Sequence, residues 1–70
     1  MQKIKKELHE IVFRNKDITA KNVKRILGKR YCVESTGKKG IVHVYSNGDR
    51  EKIREKIEDG LGVEILEINP

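Results

Sequence analysis

Two short runs of alternating residues limit what this chain can fold into. Residues 30–35 and residues 41–46 are rich in β-branched and aromatic side chains, and both runs alternate with the period of a strand. The segment between them, TGKKG at residues 36–40, has a glycine on each side of two lysines. Glycine supplies the backbone freedom that a short connection needs. The pattern therefore predicts a β-hairpin whose tip carries Lys38 and Lys39.

The residues before this hairpin have helical periods. Residues 2–14 carry one apolar stripe at the spacing of an amphipathic helix, formed by Ile4, Leu8, Ile11 and Val12. Residues 19–27 repeat such a stripe, and Asp17 or Thr19 can cap the start of this second helix. Gly28 can take the left-handed conformation that ends helices. We therefore predict two helices ahead of the hairpin.

A third helix and a last strand are predicted after the hairpin. The helical repeat begins after a turn, with Asp49 or Asn47 as the cap, and its apolar positions recur every four residues at Ile53, Ile57 and Leu61. Gly60 and Gly62 are expected to end this helix. The final strand, VEILEI at residues 63–68, is expected to pair in parallel with one hairpin strand because a helix connects them.

Together these elements predict a single α+β domain over residues 1–70, in the order α-α-β-β-α-β. Seventy residues leave room for one domain only. The predicted architecture is a three-stranded sheet covered on one face by the helices. Its core is expected to be aliphatic, since the chain contains only three aromatic residues, Phe13, Tyr31 and Tyr45.

Positive charge is concentrated in the first part of the chain. Residues 1–30 contain ten Lys or Arg and three Asp or Glu, whereas residues 49–70 contain four and seven, within a net charge of +5. This asymmetry is typical of a basic face for a polyanion and a separate acidic face. A solvated surface with uneven charges is the alternative explanation.

The second predicted helix and the hairpin tip are the candidate nucleic-acid-binding elements. Lysine and arginine on an exposed helix face reach phosphates or guanine edges, and an asparagine such as Asn22 can read adenine. The first predicted helix adds Lys3, Lys6 and Arg14. A plain charged turn and a solvated helix are the alternatives, and DNA and RNA remain equally open as targets. The predicted contact residues are Lys21, Lys24, Arg25, Arg30, Lys38 and Lys39.

Two helices followed by a hairpin with a basic tip resemble part of the winged-helix architecture. The resemblance implies that the tip contacts nucleic-acid phosphates, as a wing does. A GxxG sequence also occurs in K-homology domains, where it joins two helices and clamps the nucleic-acid backbone. The residues on both sides of GKKG here have strand patterns, so that family is not indicated.

Tyr31 and Tyr45 bring in a second mode of nucleic-acid recognition. RNA-binding sheets stack bases on exposed aromatic side chains, and these two tyrosines would form a small platform if they shared an open sheet face. Positions in the core or at the sheet edge are predicted for both instead.

No pattern in the sequence predicts an enzyme, a metal site or a cofactor. His9, Cys32 and His43 are irregularly spaced and match no zinc motif. Cys32 could act as a nucleophile with His43 across the hairpin, but it is more simply a small buried side chain. No Gly-rich nucleotide loop leads into a helix. The prediction is a non-catalytic module.

A cytoplasmic location without a membrane partner is predicted. The single cysteine cannot form an internal disulfide, which fits a reducing compartment. No segment approaches the ~20 apolar residues that a membrane helix needs. Charged residues interrupt the N-terminal segment, so it does not read as a secretory signal.

The alternative function is a protein-interaction or assembly module, including a homodimer. The VEILEI segment has apolar residues on both faces, and an exposed edge strand can pair with a partner or with a second copy. The alternative depends on whether the monomer leaves four apolar residues uncovered, namely Val63, Ile65, Leu66 and Ile68.

Overall fold

The computed structural model describes residues 7–46 and 49–69. These residues form four strands and two helices in the order β-α-β-β-α-β. The elements are β1 (Glu7–Phe13), α1 (Ala20–Leu27), β2 (Cys32–Ser35), β3 (Ile41–Ser46), α2 (Arg50–Leu61) and β4 (Ile65–Asn69).

The four strands form one antiparallel sheet in the spatial order β2-β3-β1-β4. Each helix connects two strands that run parallel but are separated by a third strand, β3 in the first case and β1 in the second. This split β-α-β connectivity is the ferredoxin-like arrangement. The α+β class is confirmed, whereas the α-α-β-β-α-β order and the three-stranded sheet are wrong.

The main error concerns β1, which was predicted as part of a helix over residues 2–14. Its buried side chains are His9, Ile11 and Phe13, which follow the period of a strand. His9 reads as polar in the sequence, so the alternation is hidden and the remaining apolar residues mimic a helical stripe. Residues 2–6 of the predicted helix lie outside the described residues.

The pairing predicted for the last strand is also wrong. β4 pairs only with β1 and runs antiparallel to it, with Glu10 opposite Asn69 and Val12 opposite Glu67. It does run parallel to β3, but β1 lies between the two strands. Because β1 is a strand, one described helix precedes the hairpin, and the resemblance to a winged helix does not hold.

The other local predictions are largely confirmed. Thr19 caps α1 through a capping box with Asn22. Gly28 ends the helix as predicted, but its φ of 82° and ψ of −167° lie outside the left-handed helical region. Asp49 caps α2 by accepting a 2.9 Å hydrogen bond from a backbone N–H of the first turn. Gly62 ends α2 in the left-handed conformation. The alternative cap, Asn47, lies outside the described residues.

Both helices pack on one face of the sheet and against each other. The core is aliphatic as predicted, and Phe13 is its one fully buried aromatic side chain among the described residues. Every element except β2 contributes a buried apolar residue. The core residues are Ile11, Phe13, Val23, Leu27, Val42, Val44, Ile53, Ile57 and Ile65.

Gly60 was predicted to end α2 but lies inside it, where the two helices approach each other. A Cβ added at Gly60 would lie 2.5 Å from Cγ2 and 3.0 Å from Cδ1 of Ile26 on α1. The first distance is too short for a real contact. Because Ile26 is β-branched, it has few rotamers with which to move away. The missing side chain at Gly60 therefore sets how closely the helices pack.

We expect Gly60→Ala to lower the free energy of unfolding by about 1 kcal/mol, measured by urea denaturation. Overpacking costs more than the helix propensity that alanine adds. In an Ile26→Ala background the same substitution should raise the free energy of unfolding by about 0.5 kcal/mol, because the helix propensity of alanine then acts without the clash. Stabilisation in both backgrounds would show that Ile26 does not restrict position 60.

His9 is the one buried residue of the described chain whose side-chain nitrogens lack partners. It is 2% exposed, and neither Nδ1 nor Nε2 makes a hydrogen bond. A buried polar atom without a partner costs about 1–3 kcal/mol. The core therefore carries an energetic penalty at the centre of β1.

Replacing this ring by an apolar side chain of similar size should remove the penalty. We expect His9→Leu to raise the free energy of unfolding by about 1 kcal/mol in urea denaturation. The matched control is His43→Leu, because His43 lies on the other face of the sheet and has a partner in Glu10. An equal gain in both variants would contradict the explanation.

Candidate nucleic-acid interface

Helix α1 exposes three of the six predicted contact residues. Lys21, Lys24 and Arg25 are exposed, and their spacing places them on one side of the helix. The last two also lie in the final turn, where positive charge is favourable beside the helix carboxyl end. Part of this basic character is therefore explained by helix stability alone.

Asn22 is already occupied in the structure. Its Oδ1 accepts hydrogen bonds from the backbone N–H and the hydroxyl of Thr19, both at 2.9 Å. These contacts form half of the capping box of α1. Reading adenine would require Asn22 to give up the cap, so its side chain is better assigned to helix initiation.

The β2–β3 connection is an ordered turn tied together by Thr36. The Thr36 hydroxyl donates to the carbonyl oxygen of Ile41 at 2.8 Å and accepts from the backbone N–H of Lys38 at 3.1 Å. Gly37 has a φ of 79°, which few other residues adopt at low cost. Lys38 and Lys39 are therefore exposed on a defined turn.

Gly40 holds this turn against the connection between β1 and α1. Its carbonyl oxygen accepts a 2.8 Å hydrogen bond from the backbone N–H of Phe13, and its φ is 73°. A Cβ added at Gly40 would lie 3.0 Å from the Cα of Lys16. The second glycine of the TGKKG segment thus serves a close approach of two backbones as well as a turn.

This approach creates a basic groove of about 320 Å³ between the two connections. Three of its lining residues are Lys16, Lys38 and Lys39, and Asp17 is its one carboxylate. We call this site the lysine groove, defined by those three lysines. Apolar and small side chains from the β1–α1 connection, the start of α1 and β3 also line the groove, including Ile18, Ala20 and Val42.

The structure brings together some of the predicted contact residues and separates others. Lys38 and Lys39 line the lysine groove, whereas Lys21, Lys24 and Arg25 of α1 do not. Arg30 follows the far end of α1, a helix length of about 12 Å from the end that borders the groove.

Lys16 was missed by the sequence interpretation, which did not include it among the predicted contact residues. The available signal was a lysine shortly before a helix cap, but its proximity to the turn depends on β1 pairing with β3. Arg14 forms a 3.1 Å ion pair with Glu64, so its charge is partly neutralised. Lys3 and Lys6 lie outside the described residues.

The sheet has an open face, the surface turned away from both helices. Its side chains alternate with the buried ones along β1 and β3, and the strand registers extend the face to β2 and β4. The open face consists of Leu8, Glu10, Val12, Cys32, Glu34, Ile41, His43, Tyr45, Glu67 and Asn69.

The two tyrosines of the hairpin do not form a platform. Tyr31 precedes β2 and packs against the core, with the Lys56 ammonium 5.8 Å from its ring centre. Tyr45 lies on the open face in register with Cys32 and Leu8. The predicted core or edge position is therefore confirmed for Tyr31. It is wrong for Tyr45, which lies on the open face of the central strand β3.

Cys32 is exposed, so the prediction that it is buried is wrong. The residue in register with His43 on β2 is Glu34, so Cys32 and His43 are not directly opposite each other. The His43 Nε2 instead lies 3.3 Å from a carboxylate oxygen of Glu10. Within residues 7–46 and 49–69, no three His, Cys, Asp or Glu side chains are placed to hold a metal ion.

The apolar surface of the last strand is mostly covered. Ile65 is buried, and Val63 and Ile68 pack against the core. Leu66, at the irregularity in the β1–β4 pairing, is 56% exposed. β4 is an edge strand as the alternative function requires, but it offers one large apolar side chain rather than four.

Neither described helix has the length and apolar character needed to cross a membrane.

Comparisons of this chain with protein-family models, with curated proteins and with solved structures find no match.

The approach of Gly40 to Lys16 predicts unequal effects of alanine at the two turn glycines. Both substitutions should cost about 1–2 kcal/mol because both φ values are positive. We expect Gly40→Ala to cost about 1 kcal/mol more than Gly37→Ala, because only position 40 contacts another backbone. Urea denaturation of the two variants measures this difference, and equal losses would mean that the contact with Lys16 is easily relieved.

Proposed function

We propose that this protein is a small, non-catalytic nucleic-acid-binding module that contacts phosphates through the lysine groove. The observation that carries the proposal is the convergence of Lys16, Lys38 and Lys39 from two separate connections. Lys21, Lys24, Arg25 and Arg30 extend the positive surface along and beyond α1.

The charges of the groove are available to a polyanion. Within the described part of the chain, none of the three groove lysines forms an ion pair. Lysine ammonium groups on an ordered backbone bind phosphate as compact point charges. Contacts of this kind release counterions and carry little sequence information.

The open face of the sheet favours the groove over base stacking as the site of contact. It carries one aromatic side chain, Tyr45, and three carboxylates, Glu10, Glu34 and Glu67. Carboxylates repel a phosphate backbone, and a single ring offers little stacking surface. The proposed mode is therefore phosphate contact with weak sequence preference.

The first test is a fluorescence anisotropy titration with labelled random duplex DNA, single-stranded DNA and structured RNA at several salt concentrations. Binding should weaken steeply with salt, and the preferred probe identifies the substrate class. For duplex DNA, we expect Lys38→Gln/Lys39→Gln to reduce the log–log salt slope by about 1.8, which corresponds to two lost phosphate contacts.

The matched control is Lys52→Gln/Lys56→Gln, which removes the same charge from exposed positions on α2. An equal loss of affinity in both variants would show that only net charge matters. Absence of binding to all three probes at low salt would overturn the proposal.

Lys16 provides a sharper test of the groove itself. We expect Lys16→Gln to lower the duplex salt slope by about 0.9, as for one phosphate contact. Lys29→Gln removes the same charge beyond the far end of α1 and should change the slope less. A larger effect from Lys29 would place the contact surface on α1 rather than in the groove.

A further inference from the structure

The open face is the one extended sheet surface that the described helices leave uncovered. Both α1 and α2 pack on the opposite face, over residues such as Ile11 and Val44. A one-sided sheet commonly faces water, and its exposed side is then rich in polar and charged residues. The sign of the charges on this exposed side therefore indicates which kind of partner it suits.

The charge of the open face is opposite to that of the chain. The chain contains sixteen Lys and Arg residues and has a net charge of +5. None of them is among the open-face residues that the structure describes, whereas Glu10, Glu34 and Glu67 are. The molecule thus separates a basic groove at one end from an acidic sheet surface.

The central carboxylate of this surface is held in place by its neighbours. The strand registers align Glu34, His43, Glu10 and Asn69 in one row across all four strands. Glu10 accepts a 3.3 Å hydrogen bond from the Asn69 amide and lies 3.3 Å from the His43 ring. Glu34 and Glu67 are exposed and form no ion pair within the described residues. Two carboxylates therefore remain free for a cationic partner.

Apolar side chains lie on both sides of this polar row. Leu8 is 37% exposed and lies beside Tyr45 on one side, and Val12 is partly exposed on the other. Aromatic and aliphatic groups next to charges are typical of the centre of a protein interface.

We propose that the open face docks a cationic, amphipathic segment of another protein. Lysine or arginine side chains of that segment would pair with Glu34 and Glu67, while its apolar side chains cover Leu8, Tyr45 and Val12. Charge complementarity supports this occupant over a second copy of the chain or a nucleic acid. A symmetric pair of open faces would bring six glutamates together, and a nucleic acid would meet the same carboxylates.

The test uses a labelled short peptide of alternating lysine and leucine, titrated by fluorescence anisotropy. Amide spectra of the isotope-labelled chain, recorded in parallel, identify the contacted surface. We expect binding with shifts at Tyr45, His43 and Leu8. Peptides with glutamate in place of lysine, or serine in place of leucine, should bind at least about fivefold more weakly, because charge and apolar contact both contribute.

Two charge-matched variants separate this face from general acidity. Glu34→Gln/Glu67→Gln should weaken binding of the lysine–leucine peptide by about fivefold, as expected for two partly exposed charge pairs. Glu55→Gln/Asp59→Asn removes two exposed acids from α2 and should leave binding unchanged. Lys38→Gln/Lys39→Gln should also leave peptide binding unchanged. A failure of the docking proposal can therefore be told apart from a failure of the proposed nucleic-acid binding at the lysine groove.

Three binding results would overturn the proposal. They are absence of peptide binding at about 1 mM, which corresponds to a free energy near −4 kcal/mol, shifts confined to the helices, and equal losses in the two acid-removing variants. Self-association that is abolished by Leu8→Glu would also overturn it, since a second copy would then be the occupant. Sedimentation velocity at several protein concentrations measures that outcome.

Discussion

The pairing of β1 with strands on both sides is the constraint on which the rest of this structure depends. β1 joins the hairpin through β3 and joins β4 at its other edge, so it connects the two halves of the chain. Its buried side chains, His9, Ile11 and Phe13, lie on the sheet face that the helices cover. Without β1 the hairpin and β4 would have no common sheet.

The same pairing determines where the charges lie. The end of β1 hydrogen-bonds to Gly40 and brings Lys16 beside the β2–β3 turn, which forms the lysine groove. The other face of β1 places Glu10 beside His43 and Asn69 on the open face. One strand therefore supports a basic site at one end and an acidic surface on the uncovered side. The two surfaces carry opposite charge, and the partners that we propose for them differ accordingly.

Local sequence patterns predicted the elements whose hydrogen bonds are local. The capped helix α1, the hairpin and the Asp49 cap of α2 depend on partners within a few residues, so their signals lie in short segments. β1 carries no such signal, because a buried histidine interrupts its alternation and its hydrogen-bond partners are more than 25 residues away. Gly60 was misassigned for a related reason, since its role depends on Ile26 of the other helix.

The sequence by itself determined the α+β class, the hairpin with Lys38 and Lys39 at its tip, and the exposed basic side chains of α1. Tertiary structure alone decided that Lys16 joins those tip lysines, that Tyr31 and Tyr45 lie on different faces, and that the open face is acidic. The physical reason is that capping and turn formation act within a few residues, whereas sites and faces are made by strand register. Register joins residues far apart in the chain. Here it depends on β1, whose alternating pattern is hard to recognise in the sequence because its buried position 9 is a histidine.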